Sequence, residues 1–139
     1  MMLLLDTHVW VWYLENDRKR LAKKVADHVA AAESAGDVFV SDISFWEVAN
    51  KSTNEKLFSM DAVVWLQRAA EAPALSYIPV ERAALIQSTR LAGTPPRDPA
   101  DRILIATTQL NAATLVTSDT QIIQYAHRER TLAVYDARK

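Results

Sequence analysis

The stretch MLLLDTHVWVWYLE, residues 2–15, decides the fold because its pattern changes at one aspartate. Residues 2–5 form a short apolar run, which is typical of a strand buried on both faces. Asp6 ends this run, and residues 8–15 have the spacing of an amphipathic helix. A buried strand that passes directly into a helix is the repeating unit of an α/β fold.

The alternation of strands and helices continues along the chain. Short apolar runs predict further strands at residues 38–40, 77–80, 115–117 and 132–135. Helical patterns occupy residues 20–35, 42–52, 61–71, 81–92, 99–112 and 120–127. We therefore expect a single α/β domain over residues 1–139 with a mostly parallel sheet of about five strands. In such sheets, sites form at the carboxyl ends of the strands.

The composition excludes several classes of site. The 139 residues include no cysteine, which excludes disulfides, thiolate metal sites and cysteine nucleophiles. The two glycines are too few for a glycine-rich phosphate loop. The apolar run at the start is too short for a transmembrane helix or a signal peptide. We expect a soluble, cytoplasmic protein without a membrane anchor.

The net charge of −1 counts against strong nonspecific binding of nucleic acid. Setting four acids aside at a metal site would leave the rest of the chain net positive. Basic residues cluster at Arg18, Lys19 and Arg20, and again at Arg128 and Arg130. A solvated helix face is the favoured explanation of each of these clusters.

Four acids fall at positions where a parallel sheet would bring them together. Asp6 ends the first strand, and Asp119 follows the strand that ends at residue 117. Glu47 lies on the helix after the second strand, and Asp101 lies in the first turn of the helix that begins near residue 99. We expect these carboxylates to converge on one edge of the sheet.

Each acid also has a purely structural explanation. Asp6 and Asp119 stand where helix N-caps are expected. Glu47 precedes Lys51 by four residues, a favourable surface pair, and its helix face would suit a solvated side chain. Asp98, followed by proline, makes a good N-cap, which leaves Asp101 as a capping-box acid or as a functional group.

Helical geometry helps to distinguish the two explanations of Asp101. Its helix has a narrow polar seam formed by Arg102 and Gln109. Asp101 lies about 100° from that seam, on the same side as Ile105 and Thr108. We expect its carboxylate to be partly buried, and a buried charge requires a partner.

Four carboxylates without cysteine suit a hard cation with oxygen ligands, such as Mg²⁺ or Mn²⁺. Mutual repulsion would destabilise this cluster in the absence of cations. With cations, such a site binds phosphate oxygens and activates water. The pattern therefore predicts a metal-dependent phosphodiesterase.

Four segments resemble the PIN-domain family, specifically the VapC-type ribonuclease toxins of bacterial toxin–antitoxin pairs. They occur in the family's order and span nearly the whole chain. The segments are LLLDTHVWVWYL from Leu3, VSDISFWEVANK from Val40, RDPADRILIATT from Arg97 and LVTSDTQI from Leu115.

The resemblance implies a PIN-like three-layer α/β/α sandwich whose parallel sheet has the order 3-2-1-4-5. It also implies an acidic pocket for Mg²⁺ or Mn²⁺, in which Asp6, Glu47, Asp101 and Asp119 bind metal and carry the catalysis. The implied reaction is in-line attack by a metal-activated water on RNA, which leaves a 5′-phosphate and a 3′-hydroxyl.

The resemblance also suggests supporting residues and partners. Thr7 and Thr117 would fix carboxylate geometry, Asp98 would cap its helix, and Arg102 would contact substrate phosphate or form an outward salt bridge. Expected partners are the RNA substrate, a VapB-type antitoxin and a second copy in a homodimer. Phe45 and Trp46 are candidates for the apolar groove that receives the antitoxin.

Two stretches depart from the family pattern, and two other functions compete with the nuclease. Residues 55–57 read Glu-Lys-Leu where Gly-Lys-Leu is common, and residues 94–96 read Thr-Pro-Pro where a histidine is often found.

A phosphatase or receiver-like domain lacks support because no Asp-x-Asp follows the first strand. The other alternative is a non-catalytic module of the same fold that binds RNA or protein.

Overall fold

The computed structural model describes residues 1–51 and 60–139, and in this part strands and helices alternate in the predicted order. The strands are β1 (Leu3–Leu5), β2 (Val38–Ser41), β3 (Ser76–Ile78), β4 (Thr114–Thr117) and β5 (Val134–Asp136). The helices are α1 (Thr7–Leu14), α2 (Lys23–Ser34), α3 (Ile43–Lys51), α4 (Ala62–Ala70), α5 (Arg82–Ser88), α6 (Pro99–Leu110) and α7 (Thr120–Glu129).

The five strands form one sheet in the order β3-β2-β1-β4-β5, which confirms the predicted topology. All four strand pairings are parallel. The chain builds outward from β1 to β3 on one side and then crosses to β4 on the other. Because the direction of winding changes between β1 and β4, the carboxyl ends of these two strands border the crevice where α/β sheets bind ligands.

Both faces of the sheet are covered by helices, as the apolar run of β1 predicts. Leu3 and Leu5 pack into a core that α1 and α2 complete. Leu4, which points to the opposite face, packs with residues of α6 and α7 such as Leu104 and Tyr125. This alternation of side chains along a buried strand produces the predicted three layers.

Two helices are shorter than their sequence patterns predict. Residues 20–22 are not helical: Asp17 Oδ1 accepts the backbone N–H groups of Lys19 and Arg20, and α2 begins only at residue 23. After α5, the hydroxyl of Thr89 donates to the carbonyl of Ile86, and the helix does not continue to residue 92. Such side-chain bonds to nearby backbone compete with helix propagation.

Two sequence features lie outside the described residues. These are residue 52, the predicted end of the third helix, and the Glu-Lys-Leu stretch at residues 55–57. Among the helices of residues 1–51 and 60–139, none is both long enough and apolar enough to cross a membrane.

We expect helix α6 to stabilise the protein mainly through the residues on its buried face. Leu104 is fully buried, whereas Leu110 on the same helix is 47% exposed. We expect Leu104→Ala to lower the free energy of unfolding by about 2–5 kcal/mol, because it removes apolar contacts and leaves a cavity. Leu110→Ala should cost less than about 1 kcal/mol. Urea denaturation of both variants measures the difference, and equal losses would contradict this packing.

Candidate metal centre

Asp6 and Asp119 lie at the carboxyl ends of the neighbouring strands β1 and β4, and each caps the helix that follows. Asp6 Oδ1 accepts the N–H of Thr7 at 2.8 Å. Asp119 Oδ1 accepts the N–H groups of Gln121 at 2.8 Å and Ile122 at 3.3 Å. The structural explanation of both acids is therefore correct, and it does not exclude the functional one, because each cap uses a single carboxylate oxygen.

Thr117, at the end of β4, connects these two acids. Its hydroxyl donates to Asp6 Oδ2 at 2.7 Å and accepts the backbone N–H of Asp119 at 3.0 Å. Thr117 is fully buried, and Asp6 is only 7% exposed. The orientation of Asp6 is therefore fixed through both of its oxygens.

Glu47 is buried, with 4% exposure, so the alternative of a solvated position on its helix is wrong. Its Oε1 accepts a hydrogen bond of 2.6 Å from the hydroxyl of Thr7, and the ammonium of Lys51 lies 3.7 Å from its Oε2. The pairing with Lys51 forms as predicted, but it accompanies burial because α1 packs over this face of α3.

Ser44 is a site residue that sequence reasoning missed. It is fully buried, and its hydroxyl lies 2.8 Å from that of Thr7. Since Thr7 donates its one hydroxyl hydrogen to Glu47, Ser44 must donate to Thr7. Its position three residues before Glu47, on the same helix face, was the available signal.

Among the described residues, Glu47, Asp98 and Asp101 form a carboxylate group that is close enough to hold one metal ion. One oxygen from each lies within 4.8 Å of the others. Asp98 Oδ1 also accepts the N–H of Ala100 at 2.8 Å, so its predicted N-cap is present. Asp98 is thus both a cap and a member of the group, a second role that its sequence position alone did not indicate.

We use the term acidic cluster for Asp6, Glu47, Asp98, Asp101 and Asp119. Asp101 is its electrostatic centre. Burial, and after it the negative charges of the other four acids, raises the pKa of Asp101 to about 8. Within residues 1–51 and 60–139, no side chain or backbone group donates a hydrogen bond to the Asp101 carboxylate.

Asp6 and Glu47 are also shifted toward the protonated form. Burial raises the pKa of both, and hydrogen bonds from Thr117 and Thr7 oppose the increase only in part. Partly buried carboxylates that repel one another, around an acid to which no described residue donates a hydrogen bond, require a cation to remain ionised. All the potential metal-ligand atoms in the cluster are carboxylate oxygens, so the residues fit a hard divalent cation.

Arg102 does not form the outward salt bridge that was one of its two predicted contacts, in the described part of the chain. Its Nε donates to the carbonyl of Pro96, and the side chain is half-buried. Arg102 forms no ion pair with a described residue. It therefore holds the loop that precedes α6.

The two residues predicted for an antitoxin groove differ in exposure. Phe45 packs against Trp10 and Tyr77, with ring centroids 5.0 Å and 5.2 Å apart, and so belongs largely to the core. Trp46 is 57% exposed. Of the two, only Trp46 offers a large apolar surface to a partner.

Asp101→Asn should stabilise the metal-free protein. A pKa raised by folding means that the protonated form is favoured, so the contribution of Asp101 to stability is greatest below about pH 4 and is lost as the pH rises to about 8. The amide removes this loss, and we expect the free energy of unfolding in EDTA at pH 8 to rise by about 2 kcal/mol, allowing for partial exposure.

Urea denaturation between pH 5 and pH 8 measures this effect, with Asp27→Asn as the control. Asp27 is an exposed acid on α2 whose pKa is lowered by Lys23, so its removal should not stabilise the protein. A wild-type stability that does not fall with pH relative to Asp101→Asn would contradict the electrostatic account.

Thr7→Val should weaken metal binding because it removes the only hydroxyl that donates to Glu47 among the described residues. We expect a loss of about 10–100-fold in Mn²⁺ affinity and about 1–3 kcal/mol of stability. Thr7→Ser retains the hydroxyl and serves as the matched control. Isothermal titration with Mn²⁺ measures affinity, and equal affinities in the two variants would show that Thr7 does not orient the site.

Comparison with known proteins identifies the family. The PIN domain family matches residues 3–128. Ribonuclease VapC22 of Mycobacterium tuberculosis is 29% identical over 125 residues, which cover 89% of this chain and 92% of that protein.

Solved structures share the fold at low sequence identity. The DNA-bound VapBC of Salmonella typhimurium gives a TM-score of 0.69 at 16% identity, and VapBC2 of Rickettsia felis, bound to a fragment of its promoter DNA, gives 0.68 at 14%. Each match covers 98% of both chains. With the family match extending over most of the sequence, this chain belongs to the PIN domain family.

Proposed function

We propose that this protein is a VapC-type toxin of a VapBC pair and acts as a metal-dependent endoribonuclease. The observation that carries the proposal is the acidic cluster at the crevice between β1 and β4, at whose centre Asp101 receives no hydrogen bond from the described residues. Membership of the PIN domain family and the relationship to a VapC ribonuclease support it.

The proposed catalytic and metal-binding residues are Asp6, Glu47, Asp101 and Asp119. Asp98 joins them because its carboxylate lies in the same tight group as Glu47 and Asp101. When bound, Mg²⁺ or Mn²⁺ would neutralise charge at the scissile phosphate and activate a water for in-line attack.

The chain's own residues prepare the site for this ion. The N-caps of α1, α6 and α7 direct Asp6, Asp98 and Asp119 toward the crevice while using one oxygen of each. Thr117 and Thr7 hold Asp6 and Glu47 in fixed orientations. Positioning ligands before the ion arrives reduces the reorganisation that binding and catalysis require.

We further propose that residues 1–139 act as a single PIN-like domain, in the cytoplasm, where RNA is available. The partners would be an RNA substrate, a VapB-type antitoxin and a second copy in a homodimer. The related VapC chains were solved as VapBC assemblies, which supports an antitoxin partner. Trp46 is the exposed aromatic residue closest in sequence to the acidic cluster and a candidate for that contact.

Incubation of the antitoxin-free protein with labelled tRNA and total RNA tests the proposal. We expect discrete cuts with Mg²⁺ or Mn²⁺, none in EDTA, and a rate at least about 100-fold lower for Asp101→Asn, because the ion's stabilisation of the reacting phosphate is worth several kcal/mol. Denaturing gel electrophoresis with end-labelled RNA locates the cuts.

Asp27→Asn provides the control, since Asp27 is an exposed acid on α2 outside the acidic cluster. It should cut RNA at the wild-type rate. Cuts that persist in EDTA or in Asp101→Asn would refute the mechanism. An RNA complex without cutting in either metal would favour the non-catalytic binding module.

A further inference from the structure

A polar cleft of about 350 Å³ opens beside the acidic cluster. The loop of residues 94–98 forms one wall, and the outer face of α7 forms the other. Asp98 lines this cleft and is also a member of the acidic cluster, so the two features are continuous. The departure of residues 94–96 from the family pattern thus falls on the wall of a cleft next to the candidate metal centre.

The α7 wall is a stripe of polar side chains that the core does not use. Gln121, Gln124 and Arg128 are all exposed and are spaced three and four residues apart, which places them on one helix face. The stripe extends about 10 Å along the helix axis. Ile122 and Tyr125, on the opposite face, are buried in the core.

The loop wall is held in place from both sides. Arg102 donates to the carbonyl of Pro96, and Nη2 of Arg128 donates to the carbonyl of Thr94 at 3.0 Å. The two consecutive prolines restrict the backbone between these contacts. The loop therefore presents the next residue, Arg97, from a defined position, while its side chain remains exposed.

The cleft places two arginine side chains next to the acidic cluster. Arg97 and Arg128 line it, and neither forms an ion pair with a residue that the structure describes. The chain carries a net charge of −1, and the acidic cluster itself repels a polyanion. Affinity for a nucleic-acid backbone must then come from positively charged side chains near the site.

We propose that this cleft binds the sugar–phosphate backbone of single-stranded RNA next to the scissile phosphate, with Arg97 and Arg128 contacting phosphates. Gln121 and Gln124 provide amide donors and acceptors for sugars or base edges. The inference rests on the proposed ribonuclease function and adds to it the residues that position the substrate. The volume of the cleft, about 350 Å³, lies in the range of sites that hold one small ligand.

Salt-dependent binding of a short, fluorescein-labelled single-stranded RNA of mixed sequence tests the proposal. The cleavage-deficient Asp101→Asn protein with Mg²⁺ serves as the background. Each phosphate contact to a single strand contributes about 0.7 to the slope of log K against log[KCl]. We expect Arg97→Gln with Arg128→Gln to reduce that slope by about 1.4 and to weaken binding about tenfold at moderate salt.

Two further pairs of substitutions provide controls. Arg18→Gln with Lys24→Gln removes the same charge from exposed residues at the α2 layer, on the opposite side of the sheet, and should leave the slope unchanged. Arg97→Lys with Arg128→Lys retains both charges and should retain the slope. Arg97→Gln alone, which breaks no loop contact, should reduce the slope by about 0.7 even if the double variant is unstable.

The outcomes separate this inference from the ribonuclease proposal. The proposal is overturned if the slope of log K against log[KCl] is unchanged in the Gln variants. It is also overturned if the Arg18/Lys24 control reduces the slope equally. With Asp101 intact, the cleft predicts that the Gln variants raise KM about tenfold while kcat changes little; an unchanged KM also overturns it. A wild-type protein that cuts no RNA refutes the nuclease, yet the predicted slope difference would still support the cleft as an RNA-binding site.

Discussion

Electrostatic repulsion among partly buried carboxylates is the constraint around which this structure is organised. Asp101 receives no hydrogen bond from the described residues, and burial and the surrounding acids oppose its charge and raise its pKa to about 8. Repulsion of this kind weakens the metal-free fold. The protein keeps the arrangement because rigid elements hold the acids in place: parallel strands end side by side, and threonine hydroxyls fix the buried carboxylates.

Aspartates of the acidic cluster both cap helices and leave one carboxylate oxygen for a metal ion. An N-cap aspartate uses one oxygen to satisfy backbone N–H groups at the start of a helix, and its other oxygen remains for a second partner. Asp98 and Asp119 both follow this pattern. The cap stabilises the helix and directs the carboxylate, so a residue needed for helix formation and a residue needed for metal binding occupy one position. Functional and structural explanations of these acids are compatible.

The sequence predicted the fold closely and the candidate site in part. The strand–aspartate–helix pattern at Asp6 led to the parallel sheet, and helical geometry correctly placed Asp101 on a partly buried face. For Glu47 the sequence left a solvated position open beside the predicted metal-binding role, because its own helix cannot show that α1 covers it. Ser44 was missed for the same reason. The proximity of Asp98 to Glu47 joins α3 to the start of α6, a contact between residues distant in the chain.

The sequence by itself determined the order of strands and helices, the caps and the presence of acids at strand ends, because these depend on periodicity and on local backbone chemistry. The tertiary structure alone decided which carboxylates lie close enough together to bind one cation. It also decided which hydroxyl group donates a hydrogen bond to which carboxylate oxygen. It also decided that the loop of residues 94–98 lies against α7 to form a cleft. Distances of a few ångströms between separate elements depend on how the layers pack, and no local pattern specifies that packing.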